Sequence, residues 1–304
     1  MAAIGLCLEV FEEGSHILCA EDLYGGTVRM FESIGEKRGV TFSYIDTSDI
    51  ELVRKSIRKE TKALYIETPS NPTMKVTDFA AMREIADEYG LLIIADNTFL
   101  TPYFQKPLTL GADLVVHSGT KFLGGHNDVL AGFVCIKGKG LSEKLRYTYK
   151  TVGCCLPPFD SFLVLRGIKT LSVRLERQQE NAKKIALWLK DRPEVKAVYY
   201  TGLPEHPGYE INQKQASGCG SMISFKVDSE KRARKLLESV KLISYAESLG
   251  GVESLITYPM LQTHGDVPVE TRERLGITED FLRMSVGIEN AEDLIADLEQ
   301  ALAE

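Results

Sequence analysis

Strand-like and helical segments alternate along the first half of the chain. Apolar segments there have the length and residue types of buried strands, and helical segments separate most of them. The strand candidates are HILCA from His16, VTFSYID from Val40, KALYIET from Lys62, LLIIADN from Leu91, LVVHS from Leu114 and GFVCI from Gly132. Strands joined through helices at this spacing require right-handed crossovers, and they form a mostly parallel sheet with helices on both faces. The sequence therefore predicts an α/β fold.

A second, smaller α/β domain is predicted in the remainder of the chain. A long helix is expected over 159–191, and Pro193 would end it. Shorter strands follow, interleaved with helices over 231–240 and 291–303. The candidates are VKAVYY, SMISFKV, LISYAESL and FLRMSV. We predict a large domain of residues 1–167 and a small domain of residues 168–304 that includes the connecting helix.

Composition and charge argue against several kinds of partner. The 304 residues carry a formal net charge of −7, so the chain has no general attraction for nucleic acid phosphates or acidic lipid. We expect a small-molecule substrate and neither a nucleic acid nor a membrane partner. The six cysteines show no CxxC pair and no metal-ligand spacing. We interpret them as reduced thiols of a cytoplasmic protein that holds no metal.

The segment His117-Ser118-Gly119-Thr120-Lys121 follows the apolar residues LVV directly. Two hydroxyls and a lysine amine therefore leave the end of a strand together, where open α/β sheets usually bind ligands. The set suits a phosphorylated carbonyl compound, because the hydroxyls can bind phosphate oxygens and a lysine of lowered pKa can form a Schiff base. The alternative is a solvated lysine beside ordinary turn residues, which so short a spacing would favour if taken alone.

A carboxylate ends the preceding strand candidate. Asp96 follows the apolar segment 91–95, one strand candidate before Lys121. A carboxylate at that place can keep the pyridine nitrogen of pyridoxal phosphate protonated, so that the ring accepts electrons from a substrate carbanion. An isolated Asp at a strand end is more commonly a turn or helix-capping residue. Its pairing with a strand-end lysine favours the cofactor interpretation.

Seven stretches distributed over essentially the whole chain match one family in its own order. They are Tyr24-Gly25-Gly26-Thr27, Glu67-Thr68-Pro69-Ser70-Asn71-Pro72-Thr73, Ala95-Asp96-Asn97-Thr98, Ser118-Gly119-Thr120-Lys121, Leu165-Arg166-Gly167-Ile168-Lys169-Thr170-Leu171, Ser248-Leu249-Gly250-Gly251-Val252-Glu253-Ser254-Leu255 and Arg283-Met284-Ser285-Val286-Gly287-Ile288-Glu289. In these stretches the chain resembles the Cys/Met metabolism family of pyridoxal-phosphate enzymes, which includes cystathionine γ-synthases, γ-lyases and β-lyases and methionine γ-lyases. The resemblance implies a fold type I PLP-dependent transferase, with a mostly parallel seven-stranded sheet and a smaller C-terminal α/β domain.

The resemblance also implies which residues contact the cofactor, pyridoxal 5'-phosphate. Lys121 would hold it through a Schiff base and would move protons once the substrate displaces that bond. Asp96 would face the pyridine nitrogen, while Tyr24 would stack on the ring and act as an acid or base near the leaving group. Ser118 and Thr120 would bind the phosphate. Lys121, Tyr24 and Asp96 are thus the expected catalytic residues.

Substrate contacts follow from the same resemblance. Arg283 and Ser248 would hold the substrate carboxylate, since a guanidinium grips a carboxylate in two parallel hydrogen bonds. Asn71 would lie near the cofactor's phenolic oxygen and that carboxylate. Glu247 resembles an acidic residue of the γ-synthase and γ-lyase branches, which would meet the distal ammonium of cystathionine. The alternatives are a surface arginine on an edge strand, an exposed strand glutamate, a strand serine and a turn-forming asparagine.

Chains of this family usually carry several tens of residues before the position where this sequence begins. The resemblance places in that arm a Tyr and an Arg that reach the phosphate of a neighbouring subunit. Met1, at a predicted helix N-terminus, would be a further phosphate contact. A homo-oligomer, either a dimer or a tetramer, is expected with its sites at the dimer interface.

We therefore expect a lyase or transferase of transsulfuration, acting on sulfur-containing amino acids or activated homoserine. Glu247 and a likeness of residues 256–259 and 262–264 to bacterial γ-synthases favour γ-replacement or γ-elimination. One alternative is a cystathionine β-lyase. Another is a catalytically impaired, truncated relative that acts as a cofactor- or partner-binding module. The sequence does not separate elimination from replacement.

Overall fold

The structure, a computed structural model, describes residues 1–262, 265, 267 and 269–303. Its strands are β1 His16–Ala20, β2 Thr41–Ile45, β3 Thr61–Glu67, β4 Leu92–Asp96, β5 Leu114–Ser118, β6 Gly132–Ile136, β7 Val195–Tyr199, β8 Met222–Val227, β9 Ser244–Tyr245, β10 Leu255–Thr257 and β11 Phe281–Ser285. Its α-helices are α1 Ala2–Leu8, α2 Gly25–Met30, α3 Ile50–Ser56, α4 Phe79–Tyr89, α5 Thr101–Phe104, α6 Lys139–Val152, α7 Pro158–Ile168, α8 Leu171–Lys190, α9 Tyr209–Gln215, α10 Glu230–Ser239, α11 Val269–Arg274 and α12 Ala291–Ala303. None of the described helices combines the length and apolarity needed to cross a bilayer.

The first sheet has the strand order β2-β1-β3-β4-β5-β6. Strands β1 to β5 are parallel, and β6 pairs with β5 in the antiparallel direction. Alternate residues of β3 face opposite sides, so Tyr65 belongs to one buried apolar cluster and Leu64 and Ile66 to the other. The predicted α/β architecture with both faces covered is confirmed.

This sheet has six strands, whereas the resemblance implied seven. Each of the six apolar segments in the first half of the sequence forms one strand. No other segment among the described residues pairs with the edge strands β2 and β6. The strand number therefore follows the apolar segments and not the count expected from the family.

The second sheet has the order β7-β8-β11-β10-β9 and is mostly antiparallel. Apolar side chains of α8, α10 and α12 pack with those of β8 and β11 in one buried cluster. The strand predicted from LISYAESL is shorter than expected. The Asp297 carboxylate accepts the amides of Lys241, Leu242 and Ile243, so the chain turns there and only Ser244–Tyr245 pairs.

The helix predicted over 159–191 is two helices, α7 and α8. The break lies between Ile168 and Leu171. Just before it, Gly167 packs so closely on the turn after β5 that an added Cβ would lie 2.2 Å from the carbonyl oxygen of Gly124. Arg174 of α8 donates to the carbonyl oxygens of both Gly167 and Phe122. The contacts of Gly167 and Arg174 therefore hold the turn that carries Lys121 against the two helices. The domain boundary placed at 167/168 stays a prediction.

Candidate active site

The carboxyl ends of β3, β4 and β5 meet at one edge of the first sheet, and a cavity of about 980 Å³ opens there. Parallel strands bring their carboxyl ends to the same edge, which is where open α/β sheets bind ligands. Seven of the predicted site residues line this cavity: Met1, Tyr24, Asn71, Asp96, Ser118, Thr120 and Lys121. Glu247 and Ser248 line an adjoining depression that also includes Thr120.

Lys121 lies in the short π-helical turn Gly119–Leu123, directly after β5. Its Nζ donates to Ser248 Oγ at 3.0 Å, which links the first sheet to the second. Burial, and then the charge of Arg283, lowers the pKa of Lys121 to about 8, while the charge of Glu247 opposes the shift. A larger fraction of this amine is neutral near pH 7 than of an exposed lysine, and the neutral amine is the nucleophile.

Asp96 is the last residue of β4 and is buried. Its Oδ1 accepts the Thr98 amide at 3.0 Å and the Thr98 hydroxyl at 2.6 Å. The same hydroxyl oxygen accepts the Ser118 amide, so Thr98 joins the ends of β4 and β5. Burial raises the pKa of Asp96, and the bonds from Thr98 oppose that shift. Thr98 is not among the predicted site residues, although a hydroxyl two residues after a strand-end Asp is a usual turn pattern.

Arg283 is fully buried in β11, a strand with neighbours on both sides. The alternative of a surface arginine on an edge strand is therefore wrong. Its Nη1 donates to Asn71 Oδ1 at 2.7 Å, and its Nη2 donates to the Ser248 carbonyl oxygen at 3.0 Å and to Thr257 Oγ1 at 3.1 Å. Burial lowers the pKa of Arg283 to about 10, against the charges of Glu247 and Glu67, so it stays protonated near pH 7.

The Nε–H of Arg283 is buried and has no acceptor among the described residues. An unpaired buried donor is costly, and it is more so when the group is charged. The Nε–H therefore has capacity for a further acceptor, and a carboxylate is the acceptor that suits a guanidinium best.

Ser248 has a backbone φ of 126°. A residue with a side chain is strained in that region, and such strain persists where surrounding contacts hold it. Here the hydroxyl accepts from Lys121 and the carbonyl accepts from Arg283. Glu247, directly before it, is exposed, and its charge acts on both Lys121 and Arg283.

The other predicted residues are held by local contacts. Thr120 Oγ1 exchanges hydrogen bonds with the backbone of Ala131, which ties the lysine turn to the chain before β6. Tyr24 directly precedes α2 with its ring partly exposed, and its amide donates to Glu67 Oε2 at 3.0 Å. Glu67 was missed as a site residue, because a Glu at the end of a strand carries no distinctive local pattern.

His117 and His126 lie close to the lysine turn. His117 is buried, and burial lowers its pKa to about 4, so it is neutral near pH 7. His126 Nδ1–H donates to the carbonyl oxygen of Gly124 at 2.8 Å. His264 and Thr263, which contributed to the likeness to γ-synthases, lie outside the described residues.

The site fits pyridoxal phosphate in size and in chemistry. Its volume is at the upper end of the usual range for small-molecule pockets, enough for the cofactor with an amino acid. A lysine amine of lowered pKa suits the aldehyde, a buried carboxylate suits a protonated pyridine nitrogen, and hydroxyls suit a phosphate. The fold and the site together define a pyridoxal-phosphate enzyme.

The chain belongs to the Cys/Met metabolism PLP-dependent enzymes, whose family model matches residues 1–303. A cystathionine gamma-lyase of Bacillus subtilis is 50% identical over 302 residues, which cover 99% of this chain and 80% of the relative. A cystathionine beta-lyase of Coxiella burnetii is 47% identical over 305 residues, covering 99% and 79%. The solved structure of a cystathionine gamma-lyase from Lactobacillus plantarum, complexed with L-serine, matches with a TM-score of 0.97 at 43% identity, over 99% of this chain and 79% of that one. The resemblance, the fold type and pyridoxal phosphate as cofactor are thereby confirmed.

Proposed function

We propose that this enzyme catalyses γ-elimination or γ-replacement on cystathionine or an activated homoserine. The observation that carries the proposal is the proximity of three charged groups: the Lys121 amine lines the cavity, and the Arg283 guanidinium and the Glu247 carboxylate lie close enough to shift its pKa. Together they match a substrate with an α-carboxylate at one end and a distal ammonium at the other. Cystathionine has both groups.

The cofactor would be held at its reactive and its anchoring ends by different residues. Lys121 would bond the aldehyde carbon, and Ser118, Thr120 and Met1 would bind the phosphate. Asp96 would hold a proton at the pyridine nitrogen. When bound, pyridoxal phosphate supplies a sink for the electron pair left at a substrate carbon after a proton leaves.

The side chains of this protein would then act on the substrate in order. Arg283 binds the α-carboxylate, with Asn71 and the Ser248 backbone fixing the guanidinium plane. Lys121 Nζ, once the substrate amine has displaced it, would take the proton from the α carbon and give it up to the cofactor. The same amine, neutral again, would take a second proton from the β carbon before the γ substituent departs. Tyr24 donates a proton to the leaving group. The hydrogen bond from Lys121 to Ser248 Oγ would orient the amine between these steps.

The names of the relatives include both reactions and do not separate γ from β cleavage. The 50% identical Bacillus subtilis relative is named a cystathionine gamma-lyase, and a 46% identical one is named a cystathionine gamma-synthase/O-acetylhomoserine (thiol)-lyase. The 47% identical Coxiella burnetii relative is named a cystathionine beta-lyase and favours β cleavage as the second candidate. A β-lyase would expel sulfur from the β carbon and would need no second proton removal.

The test is the keto acid released from cystathionine by the cofactor-loaded enzyme. We expect 2-oxobutanoate, because γ cleavage leaves a four-carbon product. Glu247→Gln should lower kcat/KM for cystathionine about tenfold, since a charge-assisted contact contributes roughly 1.5 kcal/mol. Chromatography of the keto acids and steady-state kinetics measure both.

The matched control is an O-acylated homoserine, which has no distal ammonium, and kcat/KM for it should be nearly equal in the parent and in Glu247→Gln. Pyruvate as the main product would show β cleavage and would contradict the proposed γ reaction. If kcat/KM fell by the same factor for both substrates, Glu247 would have no role in recognising the distal ammonium.

We also propose that the enzyme is a homo-oligomer whose interface includes the outer face of α7. Phe159, Phe162 and Leu165 on this helix are 69%, 59% and 64% exposed, and Leu130 beside the site is 80% exposed. Apolar groups so grouped mark an interaction surface. Sedimentation should show a dimer or tetramer that Phe162→Asp weakens. A parent that sediments as a monomer at micromolar concentration would contradict the proposal.

A further inference from the structure

Two buried carboxyl groups lie side by side at the edge of the cavity. Glu67 ends β3 and Asp96 ends β4, and the two are direct partners in the parallel register. They are 6% and 7% exposed, and both line the cavity. Neighbouring strands lie about 4.8 Å apart, and two anions so close in a buried place disfavour each other. The pair therefore favours holding one proton.

The surroundings of the two groups are unequal. Asp96 Oδ1 accepts two hydrogen bonds from Thr98, which stabilise its ionised form. Glu67 Oε2 accepts the amide of Tyr24. These contacts leave Asp96 as the better anion of the two.

The groups that face Glu67 come from several elements. Burial and then the charge of Asp96 on β4 raise the pKa of Glu67 well above its usual range, and the Asp22 carboxylate before α2 adds to the shift. The Tyr24 amide and the Arg283 guanidinium on β11 oppose it. The pKa of the neighbouring Tyr65 phenol is itself raised by burial first, so it adds no charge near pH 7.

We propose that Glu67 is a positioning residue that carries the proton of this carboxyl pair, leaving Asp96 as the ionised member and fixing Tyr24 through its backbone amide. The part that concerns Asp96 and the ring nitrogen rests on the proposed function. The protonation state of Glu67 does not, because it follows from the strand register and from the burial of the pair.

The raised pKa of Glu67 makes the stability of the fold depend on pH. A carboxyl whose pKa is higher in the folded than in the unfolded state gives its full stabilisation below the unfolded pKa and loses it as the pH rises through the folded pKa. Glutamine has the shape of the protonated acid and cannot ionise. Glu67→Gln should therefore gain stability relative to the parent as the pH rises from 5 to 8.

The experiment is infrared spectroscopy of protein labelled with ¹³C at the glutamate carboxyl, with and without added pyridoxal phosphate. At pH 7 we expect absorption from a protonated carboxylic acid that shifts with the label, disappears in Glu67→Gln and persists in Glu12→Gln, a change at an exposed loop residue. Thermal unfolding of both variants and the parent at pH 5 and pH 8 provides the second readout.

The outcomes separate this inference from the proposed function. No label-sensitive acid absorption, or one that survives in Glu67→Gln, would overturn the inference whatever the cofactor does. An acid absorption assigned to Glu67 supports it even in protein that binds no cofactor, in which case the proposed function alone would fail. In the loaded protein, Glu67→Gln should also keep the visible spectrum of the parent at pH 7, because glutamine has the shape of the protonated acid. A changed spectrum would contradict a proton held on Glu67.

Discussion

Lys121→Ala should lose the visible absorbance of covalently bound pyridoxal phosphate and should lower turnover by about 10⁴-fold or more. Positioned proton transfer alone contributes about 10²- to 10⁴-fold, and this residue is also the proposed covalent anchor. Lys121 is half-buried, its pKa is lowered to about 8, and its amine donates to Ser248. Absorbance after removal of free cofactor and single-turnover kinetics measure the two effects.

A surface lysine supplies the control for this substitution. Lys231 lies on α10 and is exposed, and alanine is a good helix former, so Lys231→Ala should keep both the absorbance and the turnover of the parent. Thermal unfolding of Lys121→Ala checks that the fold is retained. An equal absorbance band in Lys121→Ala would place the covalent anchor on another amine.

The sequence predicted the cofactor side of the site because its residues stand at strand ends. Asp96 and Ser118 end neighbouring parallel strands, and Lys121 follows β5 within one turn. Period and apolar content identify the strands, and the geometry of a parallel sheet then brings their carboxyl ends together. The cofactor side of the site can therefore be predicted without knowledge of contacts between distant segments.

The substrate side could not be predicted in that way. Arg283 contacts Asn71, in the loop after β3, and Ser248, in the loop between β9 and β10. No local periodicity links these positions. Only the family resemblance suggested them. The break between α7 and α8 was missed for a related reason, since Gly167 packs on the backbone of a turn more than forty residues earlier.

Hydrogen-bond partners of the site residues were the least predictable part. Thr98 orients Asp96 and Ser118 together, and Glu67 holds the Tyr24 amide. Both residues lie within stretches that matched the family, yet their types are common at strand ends and turns. Their roles depend on which strands are neighbours, and that is a property of the sheet order and not of either segment alone.

Arg283→Lys should raise KM and lower kcat/KM for amino acid substrates by about 10²-fold or more. A lysine keeps the charge but has no planar fork, so it cannot keep the bonds to Asn71, Ser248 and the substrate carboxylate together. Losing about two charge-assisted hydrogen bonds of roughly 1.5 kcal/mol or more each corresponds to that factor. Steady-state kinetics with cystathionine measure it.

Two controls separate carboxylate binding by Arg283 from a purely structural effect. Arg177 on α8 is exposed, and Arg177→Lys should leave kcat/KM unchanged. A decarboxylated substrate analogue lacks the group that Arg283 binds, so its slow reaction should differ little between the parent and Arg283→Lys. If the analogue and cystathionine lost activity by the same factor, Arg283 would act by holding the two sheets together and the substrate carboxylate would bind elsewhere. The buried Nε–H of Arg283, which has no acceptor among the described residues, favours a loss of activity with cystathionine and little loss with the analogue.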